Sequence, residues 1–299
     1  MVATERATIR GELTPGHTVT PARGPQTPFV LSSPHSGRVY PRAFVRASRL
    51  GERALRKSED AFVDELFAAG PESGAPLIAA RFPRAYLDLN REPFELDPEL
   101  FRDPLPNYAN SRSPRVVGGL GTIARVVAEA EEIYRERMSL RAGLERIEKL
   151  YVPYHDALDL LLRRARRQTG LAILLDCHSM PSNVAGLAPG STPDIILGDR
   201  FGCSCDPALT RLAADLLRDL GYGVALNRPY AGGFITEHYG RPAEGFHALQ
   251  IEINKALYMD EETVARSAGF AALCERITLF LDRVIGLAPG LLQPRAAAE

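Results

Sequence analysis

Leu171-Ala-Ile-Leu-Leu-Asp-Cys-His-Ser-Met-Pro-Ser182 is an apolar run that ends abruptly in Asp176, His178 and Ser179. Opened by Gly170 and closed by Pro181, it reads as a buried parallel strand of an α/β protein. In open α/β sheets, ligands collect beyond the carboxyl ends of the strands, so three chemically capable side chains fall where a site belongs. A second strand end, Pro28-Phe-Val-Leu-Ser-Ser-Pro-His-Ser-Gly37, delivers His35. Two histidine-ended strands, about 140 residues apart, predict a metal site and an enzyme rather than a scaffold.

Composition narrows the class. A chain of 299 residues can bury a large core, as one extended α/β domain or as two domains. With 36 basic against 37 acidic residues there is no polybasic footprint for nucleic acid. The cysteines lie in folded-looking segments, which argues against a disulfide framework, and Cys203-x-Cys205 lacks a second close pair for a thiolate metal site. Glu5, Arg6, Arg10 and Glu12 are unlike a secretory leader, and no run reaches the ~20 apolar residues of a bilayer span. A cytoplasmic protein binding neither membrane nor nucleic acid is expected; oligomeric state is not legible.

Outward from the two strands, residues 1–27 predict a loosely held arm with a short edge strand within Leu13–Val19, and 286–299 a flexible tail. Between them, 28–285 predict a single domain. The pattern gives strands at Phe29–Ser32, Leu77–Ala80, Ala85–Leu89, Asp194–Gly198, Val224–Leu226 and Ala248–Asn254. Helices are expected at Ser58–Ala69, at Arg141–Arg167 bent by Pro153, at Pro207–Leu220 capped by Asp206, and at Asp260–Ile285. Thr122 would cap another helix with the stripe Ile123, Val126, Val127, Ala130 and Ile133. The Pro- and Gly-rich stretch 91–121 suits neither element and predicts a covering loop near the site.

Catalytic zinc takes three protein ligands and keeps an open position, so a carboxylate should join His35 and His178. Glu59, Asp60, Asp64 and Asp176 are the candidates, with Asp60 and Asp64 sharing a helix face and Asp176 placed to orient His178. Hydrolysis also needs a carboxylate to move the water's proton, and Glu252, projecting opposite to Leu249, Ile251 and Ile253, suits that task. Tyr86-Leu-Asp-Leu-Asn-Arg91 and Arg228 offer anion-binding arginines, Asn90 can donate beside Arg91, and His238 and His247 are candidate donors to substrate. A Ser-His-Asp reading through Ser179 or Ser182 lacks a Gly-x-Ser-x-Gly elbow, and Gly118-Gly-Leu-Gly121 lacks nucleotide-site spacing.

These motifs together carry a family likeness. Pro34-His-Ser-Gly37, Asp60-Ala-Phe-Val-Asp-Glu-Leu66, Asp88-Leu-Asn-Arg91, Gly119-Leu-Gly-Thr122 and Tyr151-Val-Pro-Tyr-His155 are followed by Asp176-Cys-His-Ser-Met-Pro-Ser182, His238-Tyr-Gly-Arg-Pro242, Ala248–Asn254 and Tyr258-Met-Asp-Glu261. In this order the chain resembles the N-formylglutamate amidohydrolase (deformylase) family, related in fold to the zinc carboxypeptidases. The resemblance implies an α/β three-layer sandwich of phosphorylase/hydrolase-like type, with a mixed, mostly parallel sheet flanked by helices. It implies one Zn2+, or another divalent transition metal, on His35, Asp60 and His178. Glu252 would be the general base and acid. Asn90 and Arg91 would hold the carboxylate of a small anionic N-acyl amino acid, and His238 and His247 match parts of the family pattern; the residue reading adds Arg228 and Ser179 beside the substrate and Asp64 and Asp176 behind the metal ligands. The implied reaction is hydrolysis of N-formyl-L-glutamate to formate and L-glutamate; a short-peptide carboxypeptidase, another deacylase and a non-catalytic binding protein are the alternatives. Where the family pattern carries Trp-His after the acidic ligand, this chain has Ala61 and Phe62, a change expected in the pocket wall.

Overall fold

The architecture comes from a computed structural model, which describes residues 4–127, 131–184, 187–188 and 190–292. The chain begins with α1 (Glu5–Glu12), β1 (His17–Thr20) and β2 (Phe29–Ser33). Three short helices, α2 (Arg42–Ala47), α3 (Glu52–Arg56) and α4 (Val63–Leu66), precede β3 (Leu77–Ala80). The covering segment holds α5 (Pro114–Val117), and α6 (Leu140–Arg146) and α7 (Val152–Thr169) lead back to β4 (Ala172–Met180). Then come β5 (Ile195–Gly198), α8 (Pro207–Asp219), β6 (Val224–Leu226), α9 (Phe234–Tyr239) and β7 (Phe246–Asn254). A small β8–β9 pair (Met259–Asp260, Ala265–Arg266) and α10 (Phe270–Leu292) close the described chain.

Seven strands form one sheet in the order β1-β3-β2-β4-β7-β5-β6. The four central strands are parallel; β1 runs antiparallel to β3, and the parallel pair β5–β6 joins antiparallel to β7. Val30, Leu174 and Ala248 face the layer of α1, α6, α7 and α9, whereas Leu31, Leu175, Leu249 and Ile251 face α4, α8 and α10. This is the three-layer α/β sandwich with a mixed, mostly parallel sheet. Each buried Leu or Ile contributes about 1.5–3 kcal/mol, so a one-residue slip that turned Asp176 and His178 into the apolar layer is prohibitive. The strand order reverses between β2 and β4, which opens a crevice at their carboxyl ends.

Several elements depart from the sequence pattern. The Ala85–Leu89 stretch is a buried turn, closed by Tyr86 N donating to Pro83 O, so Asp88, Asn90 and Arg91 come from irregular backbone and not from a strand end. The helix expected at Ser58–Ala69 shrinks to α4, because Asp60 N is drawn to His35 O (3.1 Å) and Phe62 takes φ 65°. Residues 122–127 form no helix: Thr122 turns its hydroxyl back to Glu92 O instead of capping forward. Ala130 lies outside the described residues. The Arg141–Arg167 helix is interrupted by a π-helical turn, Ile147–Tyr151, that ends two residues before Pro153. Asp260 accepts from Thr263 N (2.7 Å) and Thr263 Oγ1, a local turn that diverts the chain into β8–β9 and delays the last helix. At the ends, Ile9 and Leu13 pack into the core, and α10 runs through Pro289 to Leu292. Among the described residues, no helix is long and apolar enough to cross a membrane.

Candidate metal centre and catalytic cavity

His35 emerges just past β2, His178 near the end of β4, and Asp60 on the turn bonded to the His35 carbonyl. Their ligating atoms lie within 4.8 Å of one another, and all three residues are buried. Asp60 Oδ2 is 2.9 Å from His178 Nδ1 and 3.4 Å from His35 Nδ1. The outward nitrogens are held by carboxylates: His35 Nε2 donates to Asp88 Oδ1 (2.8 Å) and His178 Nε2 to Asp176 Oδ2 (2.9 Å). Such partners fix the tautomer so that each Nδ1 lone pair points inward. His35 Nδ1 is buried with no hydrogen-bond partner, an unmet demand that a cation answers. Two imidazoles, each oriented from behind, together with a carboxylate fit a divalent metal ion.

The electrostatics agree with that reading. Burial favours the neutral form of Asp60, but the hydrogen bond from His178 and the nearby His35 ring overcome it and hold the carboxyl far below its ordinary range. Burial disfavours a charged His178, yet Asp176 and Asp60 hold the ring well above its usual value. At His178 Nδ1, 2.9 Å from Asp60, a proton and a metal ion would compete for the same lone pair. For Asp88 too, burial is outweighed, here by Arg84, Arg91 and His35, and the carboxyl stays well below normal.

Glu252 lies beside His178 in the β4–β7 register and faces the same cavity of about 330 Å³, which His35, Asn90, Arg91 and Ser179 also line. Burial pushes its carboxyl up to about 7, opposed by His178. Gln250, two residues earlier on the same face, donates Nε2 to Glu252 Oε1 (2.9 Å) and accepts from Gly233 N (2.8 Å). Asn90 is fixed by its Oδ1 accepting from Ile235 N (2.7 Å), with its amide nitrogen 3.2 Å from His178 Nε2. Arg91 gives Nε to Leu120 O (3.1 Å) and an Nη to Asn90 O (2.9 Å); burial lowers its guanidinium to about 10.

Other predicted residues fall elsewhere. Asp64 pairs with Arg38 (2.7 Å) rather than backing the metal ligands, because the chain is not helical between it and Asp60; Asp88 takes that position. Arg228 is exposed and away from the cavity wall, where Pro229 and Tyr230 stand instead. His238 is exposed and stacks on Phe234. His247 pairs in register with Ile173, five strand positions before His178 and so about 17 Å below the site, where it accepts from Asp206 N. Ala61 and Phe62 pack into the layer of α4, α8 and α10, Phe62 against Phe270, and neither lines the cavity. Arg115 and Gln250 were not legible as cavity residues, although the period-2 spacing of Gln250 from Glu252 carries the signal for the latter.

Comparison with known proteins places this geometry. The sequence profile described as N-formylglutamate amidohydrolase matches residues 27–259. An N-formylglutamate deformylase of Pseudomonas putida is 34% identical over 238 residues, covering 78% of this chain and 82% of that protein. A second, from Pseudomonas aeruginosa, is 33% identical over 79% of this chain and 84% of its own length. The crystal structure of N-formylglutamate amidohydrolase from Ralstonia eutropha JMP134 superposes with a TM-score of 0.85 at 37% identity, over 91% of this chain and 97% of that one. A gene product from Agrobacterium tumefaciens, at 17% identity, shares the fold with a TM-score of 0.66 over 91% of this chain and 95% of that one. The family profile and the length of these matches carry one conclusion: the chain belongs to the N-formylglutamate amidohydrolase family.

Proposed function

We propose that this chain is a zinc-dependent amidohydrolase that cleaves the amide of a small N-acyl amino acid, with N-formyl-L-glutamate, yielding formate and L-glutamate, as its best-fitting substrate. The observation that carries the reading is a buried, protonatable Glu252 facing the same cavity as the His35, Asp60 and His178 cluster. Two imidazoles and one carboxylate are a common three-ligand set for catalytic zinc. The names of the Pseudomonas relatives support the formyl group and the glutamate.

When bound, the ion supplies Lewis acidity toward a carbonyl oxygen and lowers the pKa of a water. The protein's own groups do the rest. Gln250 occupies Glu252 Oε1, which leaves Oε2 to accept the proton of the attacking water. A carboxyl held near neutrality can take that proton and then return it to the departing amide nitrogen. Arg91, clamped by two carbonyls, presents its remaining nitrogen to the substrate carboxylate and fixes the scissile amide relative to Glu252.

Glu252→Gln keeps the shape and removes the proton acceptor. The variant is expected to bind one zinc per chain and to lose about 10²- to 10⁴-fold in kcat on N-formylglutamate. Zinc content by metal analysis and steady-state turnover check both halves, and an unchanged kcat contradicts the assignment. Wild-type protein compared on N-formyl, N-acetyl and dipeptide substrates distinguishes the deformylase from a peptidase; retention without cleavage would make the chain a binding protein.

A further inference from the structure

Three guanidinium groups, of Arg84, Arg91 and Arg115, line the cavity shared by His35, His178 and Glu252. Two are already engaged. Arg84 gives Nε to Asp88 Oδ2 (2.9 Å), and Arg91 is clamped by Leu120 O and Asn90 O with only 12% of its side chain exposed. Among the described residues, the Arg115 side chain makes no hydrogen bond. Its nearest carboxylate oxygen, Glu95 Oε2, is 3.9 Å away and is itself buried without a hydrogen-bond partner. The Arg115 side chain is 40% exposed, so its charge reaches the cavity mouth without a heavy desolvation cost.

The platform beneath it is fixed. Ser113 Oγ accepts from Val116 N (3.1 Å) to cap α5, and Leu120 N returns to Arg115 O (2.8 Å). Gly121 lies so close to the main chain at Glu95 that a methyl group there would fall 2.3 Å from Glu95 O. The guanidinium is therefore presented by ordered backbone, which lowers the ordering cost when it meets a ligand.

Charge supplies the rest of the argument. A substrate with one carboxylate is satisfied by Arg91 and leaves Arg115 near it with only the long 3.9 Å pair to Glu95. The two repel: Arg115 helps lower the Arg91 guanidinium, after burial and Arg84. A second carboxylate on the ligand relieves that repulsion and uses the free donors.

We propose that Arg115 is a specificity-determining residue that binds the side-chain carboxylate of the substrate, so that the cavity selects N-acyl derivatives of acidic amino acids over neutral ones. The proposal rests on the reading of this cavity as an N-acyl amino acid hydrolase site. It also moves the second anion contact from Arg228, outside the cavity, to the covering segment.

The test compares N-formylglutamate with N-formylnorvaline, which keeps the chain length and removes the second carboxylate. The ratio of kcat/KM values for the two is expected to fall about tenfold or more in Arg115→Ala. Arg115→Glu is expected to turn the preference toward N-formyllysine. Calorimetry with L-glutamate and L-norvaline, read as a ratio of Kd values, should move in parallel without any turnover. An unchanged ratio in both measurements, in variants whose thermal unfolding matches wild type, overturns the proposal. If zinc-loaded wild type cleaves no N-acyl amino acid, the functional reading falls, while the Kd ratio still decides whether Arg115 recognises a second carboxylate.

Discussion

At the scale of single residues, the candidate site is built from pairs in which one side chain faces the cavity and another fixes it. Asp176 and Asp88 do this for the two histidines, and Gln250 does it for Glu252. His155 supports the segment that carries Asn90 and Arg91: its Nε2 donates to Leu89 O (3.0 Å), and its ring stacks on Tyr151. Burial lowers its imidazole from 6.5 to about 4. Because the folded value lies below the unfolded one, the unfolded chain binds the proton more readily, so stability is full above about pH 6.5 and declines toward pH 4. The loss amounts to roughly 3 kcal/mol. Urea unfolding at stepped pH should show that decline, and His155→Gln should flatten it; an equally steep decline in the variant contradicts the assignment. His35 and His178 were legible because each ends an apolar run at a strand terminus. His238 and His247 misled because exposure and the direction of a strand are not written in a single residue's neighbours.

At the scale of elements, continuous apolar runs gave the central strands accurately, since a buried parallel strand leaves an unmistakable pattern. Two of the misread elements share a cause: a polar side chain that bonds locally or back to an earlier loop instead of supporting a helix. Thr122 to Glu92 O and Asp260 to Thr263 both replaced expected helix with turn. Close approach of backbone segments was equally invisible. Gly37 follows His35 past the end of β2, and a Cβ added there would lie 2.1 Å from Phe82 O. That obstacle is main chain, so relief requires moving either the His35 turn or the Phe82–Pro83 turn. Gly37→Ala is expected to lower stability by about 1–3 kcal/mol, measured as a reduced urea midpoint, and to weaken zinc binding because His35 shifts with it. A variant with wild-type midpoint and wild-type zinc affinity contradicts this description of the strand end.

At the scale of the whole molecule, the topology explains why the chemistry sits where it does. The reversal of strand order between β2 and β4 leaves a crevice, and three distant segments, at positions 35, 60 and 178, meet there. The layer order, the sheet and the placing of His35 and His178 at strand ends follow from patterns along the chain. The choice of Asp60 among the acidic candidates does not: it depends on the Asp60 N to His35 O contact, which only the fold creates. One measurement tests the central claim most directly. Turnover of N-formylglutamate should be followed as metal is removed by a chelator and zinc is added back in known amounts. The account predicts that activity disappears with the metal and returns linearly, reaching its plateau at one zinc per chain. Full activity in metal-free protein would contradict it.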